Sequence, residues 1–318
     1  MNTAQAKRKI KEITDCCTGI KLFFIDQSNT LFDSDIDCND LDCFRNEFVS
    51  NLKSKYVEND DFSCPTLSND DSRKNALFIY DFDLKDIPLE FKLLDQVNNL
   101  PANKNFPIYQ AKAKGLSNLK GIIIRLKNIN GKVMSFYQYL HHSALYSSKK
   151  NCYLTTHKTR VVKLTHDVLR LNNKFIVAKL DSEYFIESPK LLENELGFDE
   201  ILKAKAQTYY KDLHHMNLAD DLEKFNGRIQ AEVSFAKKFV KVFKNSAVIE
   251  QGLSTQEIID FAMSKEIYTQ KLKLTEDGTQ FNLQSIARCK HFLTLLDDVF
   301  LKSELTGQDY IVKTKDRA

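Results

Sequence analysis

Short alternating or β-prone apolar runs fill the first 187 residues, and helical repeats fill the rest. Lys21–Ile25 (KLFFI) and Ala76–Phe82 (ALFIYDF) predict strands. Ala6–Thr14 predicts a short helix, and Leu41, Phe44, Phe48 and Leu52 share one face of another. Pro88 opens a helix over Leu89–Asn99, in which Leu89, Leu93, Val97 and Leu100 recur every three or four residues before Pro101. Leu119–Leu126 and Lys132–Tyr139 flank an Asn130-Gly131 turn signal and predict a hairpin. Tyr153–Leu164 predicts one further strand. Val168–Leu171 and Phe175–Leu180, on either side of Asn172-Asn173, predict a second hairpin, with Glu183–Ile186 at an edge.

Ser188 then reads as a helix cap with Pro189 at the first helical position. Helices are predicted at 189–196, 198–215, 227–244, 254–264 and 284–300, with short strands at Gln270–Leu274 and Tyr310–Lys313. The expected class is α+β: a mixed or antiparallel sheet in the N-terminal part and a helix-rich C-terminal part. The expected domains are 1–187, carrying a basic β-rich segment at 101–180, and 188–318, ending in a short strand.

Charge changes this picture. The net charge of +3 hides residues 101–180, where fifteen Lys and Arg stand against one carboxylate, Asp167. Its flanks are acidic: residues 76–100 have two bases against five acids, and residues 181–225 have five against eleven. Neutralisation by those flanks would not require so complete a loss of acid, so the segment predicts a polyanion-binding surface. The candidate nucleic-acid-binding residues are Lys112, Lys114, Lys120, Arg125, Lys127, Lys132, Lys149, Lys150, Lys158, Arg160 and Lys163. Arg125 and Lys127 are expected on one strand face and Lys158 and Arg160 on another, with Ile122, Ile124 and Leu126 turned to the core. Lys112, Lys114, Lys120, Lys132, Lys149, Lys150 and Lys163 are expected in connecting loops. Tyr109, Phe136, Tyr137, Tyr139, Tyr146 and Tyr153 are interleaved. Core packing is expected for most, with Tyr139 and Tyr146 exposed for stacking on bases. Lys237, Lys238, Lys241 and Lys244, opposite Phe235, Phe239 and Val242, read as a solvated helix face with a secondary phosphate contact as the sharper alternative. Charge alone does not tell DNA from RNA or from an acidic protein.

Other chemistry is less well supported. Glu90-Phe-Lys92, with Asp81, Asp83 and Asp86 nearby, has the composition of a metal-dependent nuclease core, but its helical pattern makes positions two apart diverge. A scaffold binding an acidic protein or anionic lipid is the second alternative. The seven Cys include no Cys-x-x-Cys pair and read as reduced thiols; a zinc site from Cys38, Cys43, Cys64 and a His would fit no standard spacing. His141-His142 and His214-His215 lack helical metal-ligand spacing. No glycine-rich phosphate loop or Gly-x-Ser-x-Gly elbow occurs, so no cofactor or metal is expected. The acid-rich stretch Asp33–Asp71 reads as a solvated surface that shields the basic segment or docks another subunit. The N-terminus carries no apolar run, and no window approaches the ~20 apolar residues of a membrane span, so a cytoplasmic protein is expected.

The closing segment, Phe292–Lys315 (FLTLLDDVFLKSELTGQDYIVKTK), resembles that of the KwaB proteins of the Kiwa anti-phage defence system. Ser303, Leu305, Thr306, Gly307, Tyr310 and Lys313 or Lys315 are the matching positions, and Phe175–Glu187 with the helix to Phe198 is similar to that family's central portion. The resemblance implies a cytoplasmic, oligomeric effector that binds DNA. It also implies a small multi-span membrane partner, KwaA, that would recruit it to the inner membrane, and it supplies no catalytic residues. The combined expectation is sequence-tolerant binding that blocks replication or transcription of invading DNA rather than cutting it. Charge reversal at Arg125, Lys127, Lys158 and Arg160 together should then weaken binding to all sequences about equally.

Overall fold

A computed structural model describes residues 1–69, 75–85, 87–101, 104–141, 144–146, 153–157, 159–220, 222–302, 305–306 and 309–311. The chain divides into two compact units, one of residues 1–67 and 73–196, the other of residues 68–72 and 197–318.

In the first unit α1 (Thr3–Asp15) leads into β1 (Cys17–Asp26), β2 (Leu31–Asp33) and α2 (Cys38–Leu52). A π turn at Lys53–Val57 extends α2, and β3 (Phe78–Ile79), α3 (Leu89–Asn98) and α4 (Ala111–Lys114) follow. Then come β4 (Leu119–Asn128), β5 (Val133–Tyr139), β6 (Leu145–Tyr146), β7 (Leu154–His157), β8 (Arg160–Lys163) and β9 (Val168–Leu169). β10 (Val177–Leu180), β11 (Glu183–Ile186) and α5 (Pro189–Glu195) close the unit. Seven strands form one sheet in the order β2-β1-β4-β5-β10-β11-β3, with every neighbouring pair antiparallel. Gly131, at φ 81°, supplies the left-handed residue that closes the short β4–β5 loop, as the Asn-Gly signal predicts.

The sheet is covered on both faces. Leu22, Phe24, Ile122, Ile124, Leu126, Met134 and Phe136 pack with Ile10 and Ile13 of α1, Phe48 of α2 and Tyr56. On the opposite face lies α3, whose Phe91 ring stands 4.5 Å from Tyr184 and 5.0 Å from Tyr80. Full burial of each such side chain contributes about 1.5–3 kcal/mol. One carboxylate ties the first layer to the sheet. Glu187, whose side chain is 9% exposed, pairs with Lys55. It also accepts the Tyr56 hydroxyl at 2.7 Å and the Phe175 N–H at 2.7 Å.

Gly121 is set by packing. A Cβ there would lie 2.9 Å from the Tyr137 ring and hydroxyl, which are fully buried and have no room to retreat. Gly121→Ala is expected to destabilise the unit by about 1–3 kcal/mol, read as a lowered urea midpoint at unchanged slope.

The second unit begins with α6 (Phe198–His215), β12 (Ala219–Asp220), α7 (Leu222–Ala231) and α8 (Val233–Asn245). It continues through α9 (Ala247–Glu250), α10 (Thr255–Ser264), α11 (Glu266–Thr269), β13 (Phe281–Asn282) and α12 (Ile286–Leu296) to the antiparallel pair β14 (Phe300–Lys302) and β15 (Asp309–Ile311). Phe225 centres its core, 5.1 Å from Phe235 and 5.2 Å from Phe239 in edge-on geometry. The α+β class and the antiparallel option are thus what the chain adopts, with helices dominating its C-terminal part.

Several local expectations are corrected. Tyr153–Leu164 is a hairpin, β7–β8, rather than one strand. Val168–Leu171 does not pair with Phe175–Leu180; β9 pairs with β6, and β10 with β5 and β11. The helix predicted over 227–244 is two helices, α7 and α8, and that predicted over 284–300 ends at Leu296. Residues 270–274 form no strand beyond an isolated bridge from Leu274 to Phe281.

The thiols divide by burial. Cys64 is 5% exposed, and burial pushes its thiol up to about 12, so it stays protonated. Cys16 and Cys43 are exposed. Alkylation of the native chain at pH 8 is expected to modify Cys16 and Cys43 and spare Cys64, read by peptide mass mapping. Among the described residues no group of three His, Cys, Asp or Glu is placed to hold a metal ion.

Candidate nucleic-acid interface

The eleven candidate bases do not form one patch. Lys112 and Lys114 sit on α4 rather than in a loop, both exposed. The Lys114 ammonium lies 4.0 Å from the Phe32 ring centre and 3.8 Å from Asp26 Oδ2. Lys120 lies within β4, donating to Glu90 Oε1 at 2.9 Å and to Asn29 Oδ1 at 2.7 Å. These three stand near the Asp26 end of the β1–β4 ladder. Lys132 is at the far end, donating to Glu12 Oε2 at 2.8 Å, a contact that raises its pKa. β4 has ten residues, which at about 3.3 Å each separates its ends by roughly 30 Å. Lys114, Lys120 and Lys132 therefore each face a carboxylate, at two distant places. Arg160 and Lys163 lie on β8, both exposed. Lys149, Lys150 and Lys158 lie outside the described residues.

Arg125 and Lys127 are placed differently. They project from β4 on the face opposite Ile122, Ile124 and Leu126. Directly across the ladder Arg125 meets Lys21 of β1 on one side and Ser135 of β5 on the other. Ser135 in turn meets Lys179 of β10. One row of the sheet thus reads Lys21, Arg125, Ser135, Lys179.

The two ends of that row differ in charge balance. Lys179 is neutralised by Asp95 at 2.5 Å, and its ammonium lies 4.1 Å from the centre of the Tyr184 ring. Ser135 donates to Asn98 at the end of α3. Beyond Asn98 the helix stops, and Lys21 and Lys127 are exposed. The guanidinium of Arg125 is half-buried, and its Nε has no hydrogen-bond partner. Burial lowers the Arg125 pKa. Like charges directly opposite each other destabilise a sheet, and a buried donor without a partner costs about 1–3 kcal/mol. An oxyanion between Lys21, Arg125 and Lys127 would relieve the repulsion between the like charges.

Lys21 lies in an acid-rich segment, so charge counting along the chain passes over it. Only the register, with its β-prone run paired to LKGIIIRL, brings it beside Arg125.

Expected aromatic platforms are largely taken up by packing. Tyr109, Phe136 and Tyr137 are buried. Tyr139 and Tyr146 are half-buried rather than exposed. Burial first, then the Glu195 carboxylate, raises the Tyr139 hydroxyl, and the Tyr146 ring packs edge-on at 4.9 Å against Tyr153. Lys238 is also half-buried, donating to Thr294 Oγ1 at 3.3 Å, and burial lowers its pKa; it is not on a solvated face. Glu90, the nuclease candidate, is 4% exposed and held by Lys120, while Lys92 points to solvent. Asp81 and Asp83 precede α3, and Asp86 lies outside the described residues.

In the closing segment β14 pairs with β15, setting Leu301 opposite Tyr310. Leu305 is 95% exposed, while Ser303, Gly307, Lys313 and Lys315 lie outside the described residues.

Comparison with known proteins gives two matches. The family described as Kiwa protein KwaB-like matches residues 116–306, more than half of the chain. A Kiwa protein KwaB from Escherichia coli O55:H7 (strain RM12579 / EPEC) is 29% identical over 318 residues, covering 100% of this chain and 99% of that protein. No solved structure gives a significant match.

Proposed function

Because this chain belongs to the KwaB-like family of Kiwa proteins, we propose that it is an anti-phage defence effector that binds DNA largely without sequence specificity. The observation that carries the reading is the row of Lys21 and Arg125, flanked by Lys127, with no carboxylate among its described partners. Phosphate is the polyanion group whose several acceptor oxygens suit that donor set. A row fixed by backbone register presents no base-reading side chains in a groove pattern, which suits contact with the phosphate backbone alone.

Coating of invading DNA would obstruct the enzymes that copy or transcribe it, without strand cleavage. Recruitment to the inner membrane would pass through a small multi-span partner, KwaA, and association into a homo-oligomer would multiply weak phosphate contacts. No helix among the described residues is long and apolar enough to cross a membrane.

The test is filter binding of a random-sequence duplex across a salt series. The log–log slope should steepen by about −0.9 for each phosphate neutralised, giving at least −2.7 for the three bases of the row. A slope near zero removes the reading. Plasmid incubated with the protein and magnesium or manganese should remain intact; accumulation of linear or nicked product would instead favour cleavage.

A further inference from the structure

From the exposed β7–β8 hairpin we infer that this chain inserts a two-stranded arm into the major groove of duplex DNA. The inference rests on the DNA-binding reading but concerns a different element from the sheet row. Between β5 and β10 the described strands β6, β7, β8 and β9 lie outside the main sheet. Their base is the β6–β9 pair, where Leu145 and Leu169 pack against the core of the unit. Their tip is β7–β8, a ladder that among the described residues pairs with no strand of the main sheet. A hydrogen bond from the Leu164 N–H to the Tyr153 carbonyl, at 2.7 Å, continues that ladder toward the base.

The tip is apolar where a solvent-exposed ribbon should be polar. Leu154 is 67% exposed, Val161 65% and Val162 37%. All four residues of β8 are exposed. An isolated two-stranded ribbon is marginal in water, and exposed apolar side chains on one mark a surface that meets something. Register places Leu154 opposite Lys163 and Thr156 opposite Val161, so these four share one face. That face combines methyl-bearing side chains with a cation. Arg160 and His157, opposite each other, are the last pair of the described ladder.

Charge selects the partner. From residue 101 to residue 166 the sequence contains no Asp or Glu, so β7 and β8 offer cations and no acid of their own, and the one carboxylate of the arm, Asp167, lies beside β9 at its base. The major groove, about 12 Å wide, admits a two-stranded ribbon, lies between two phosphate rows and displays thymine methyl groups that Val and Thr can touch. Contact through methyl groups discriminates weakly among sequences, consistent with sequence-tolerant binding. Lys163 on the inward face and Arg160 at the tip would reach phosphates on either side.

The test compares duplexes of one sequence with and without bulky glucosyl groups on the major-groove edge of cytosine, with a minor-groove ligand as a third condition. The full chain and the variant V161T/R160E/K163E, which sets no like charges opposite each other and keeps a β-branched residue at 161, are measured in parallel by fluorescence anisotropy. The full chain should lose at least about tenfold in affinity on the glucosylated duplex and be unaffected by the minor-groove ligand. The variant should bind both duplexes equally and more weakly. Its melting temperature should match that of the parent, because the altered side chains are exposed. Equal binding of both duplexes by the full chain overturns the arm's placement while leaving the sheet row intact. So does a variant that binds like the parent, or one that loses self-association and not DNA. Failure of the full chain to bind any duplex removes the DNA reading itself.

Discussion

Replacing Lys21, Arg125 and Lys127 together by Glu should lower duplex affinity by about 500-fold at roughly 0.1 M salt, since three phosphate contacts at about 0.9 each amount to about 2.7 decades relative to 1 M. The loss should be nearly the same for every sequence tested, and the salt slope should become shallower by about 2.7. Filter binding of parent and variant across a salt series reads both quantities. Lys132→Glu serves as the matched control. It alters a base of the same segment that already faces Glu12, and its expected effect on affinity is severalfold at most. Folding is the obvious confounder, because the triple variant again sets like charges opposite each other and places a carboxylate at the half-buried position 125; the single Lys21→Glu variant, measured beside it, avoids both. Lys21 and Arg125 are like charges placed side by side in the ladder, so one Glu at Lys21 relieves repulsion and should leave the melting temperature unchanged or raise it. If the triple variant keeps the parental slope and affinity, the row is not where DNA binds.

That row shows which part of the site could be read from the sequence. Arg125 and Lys127 stand out because period-two spacing places them together, away from Ile124 and Leu126. Lys114, Lys120 and Lys132 look identical to them in sequence. What separates them is the identity of the neighbour delivered by a distant segment: Asp26 from β1, Glu90 from α3 and Glu12 from α1. Local charge counting cannot see those partners, and for the same reason it omits Lys21. The fold shows a parallel division. The Asn130-Gly131 turn fixes the β4–β5 hairpin because the signal and the contact are both local. Asn172-Asn173 carries a similar turn signal, yet the strand after it pairs with β5, more than thirty residues earlier, because that pairing buries Val177, Ala178 and Leu180 in the sheet. The LKGIIIRL run is apolar on both faces, since α3 covers the second one, so alternation there says little about which side is solvent.

The other large effect concerns stability and falls on Glu187, within the Phe175–Glu187 stretch whose likeness to the family is visible in the sequence. Its carboxylate accepts from the buried Tyr56 hydroxyl and the Phe175 N–H and pairs with Lys55. Glu187→Ala leaves the hydroxyl and the amide without partners, at about 1–3 kcal/mol each. Lys55 is 36% exposed and can turn to water, so its share is small. The expected total is about 3–5 kcal/mol, a large part of the 5–15 kcal/mol typical of a whole domain. The chain has no Trp, so urea unfolding is best followed by circular dichroism with tyrosine fluorescence in parallel. Glu187→Gln keeps an acceptor and should cost clearly less than the Ala variant. Titration gives an independent check with a definite sign. Burial, and then the Glu187 charge, push the Tyr56 hydroxyl far up, so the folded state holds that proton where the unfolded chain releases it. Stability from this group is complete below the unfolded tyrosine value of about 10 and declines as pH rises beyond it. In the Gln variant, where the charge is gone but the burial remains, the alkaline decline should persist. An Ala variant as stable as the parent would show that Glu187 does not hold this layer to the sheet.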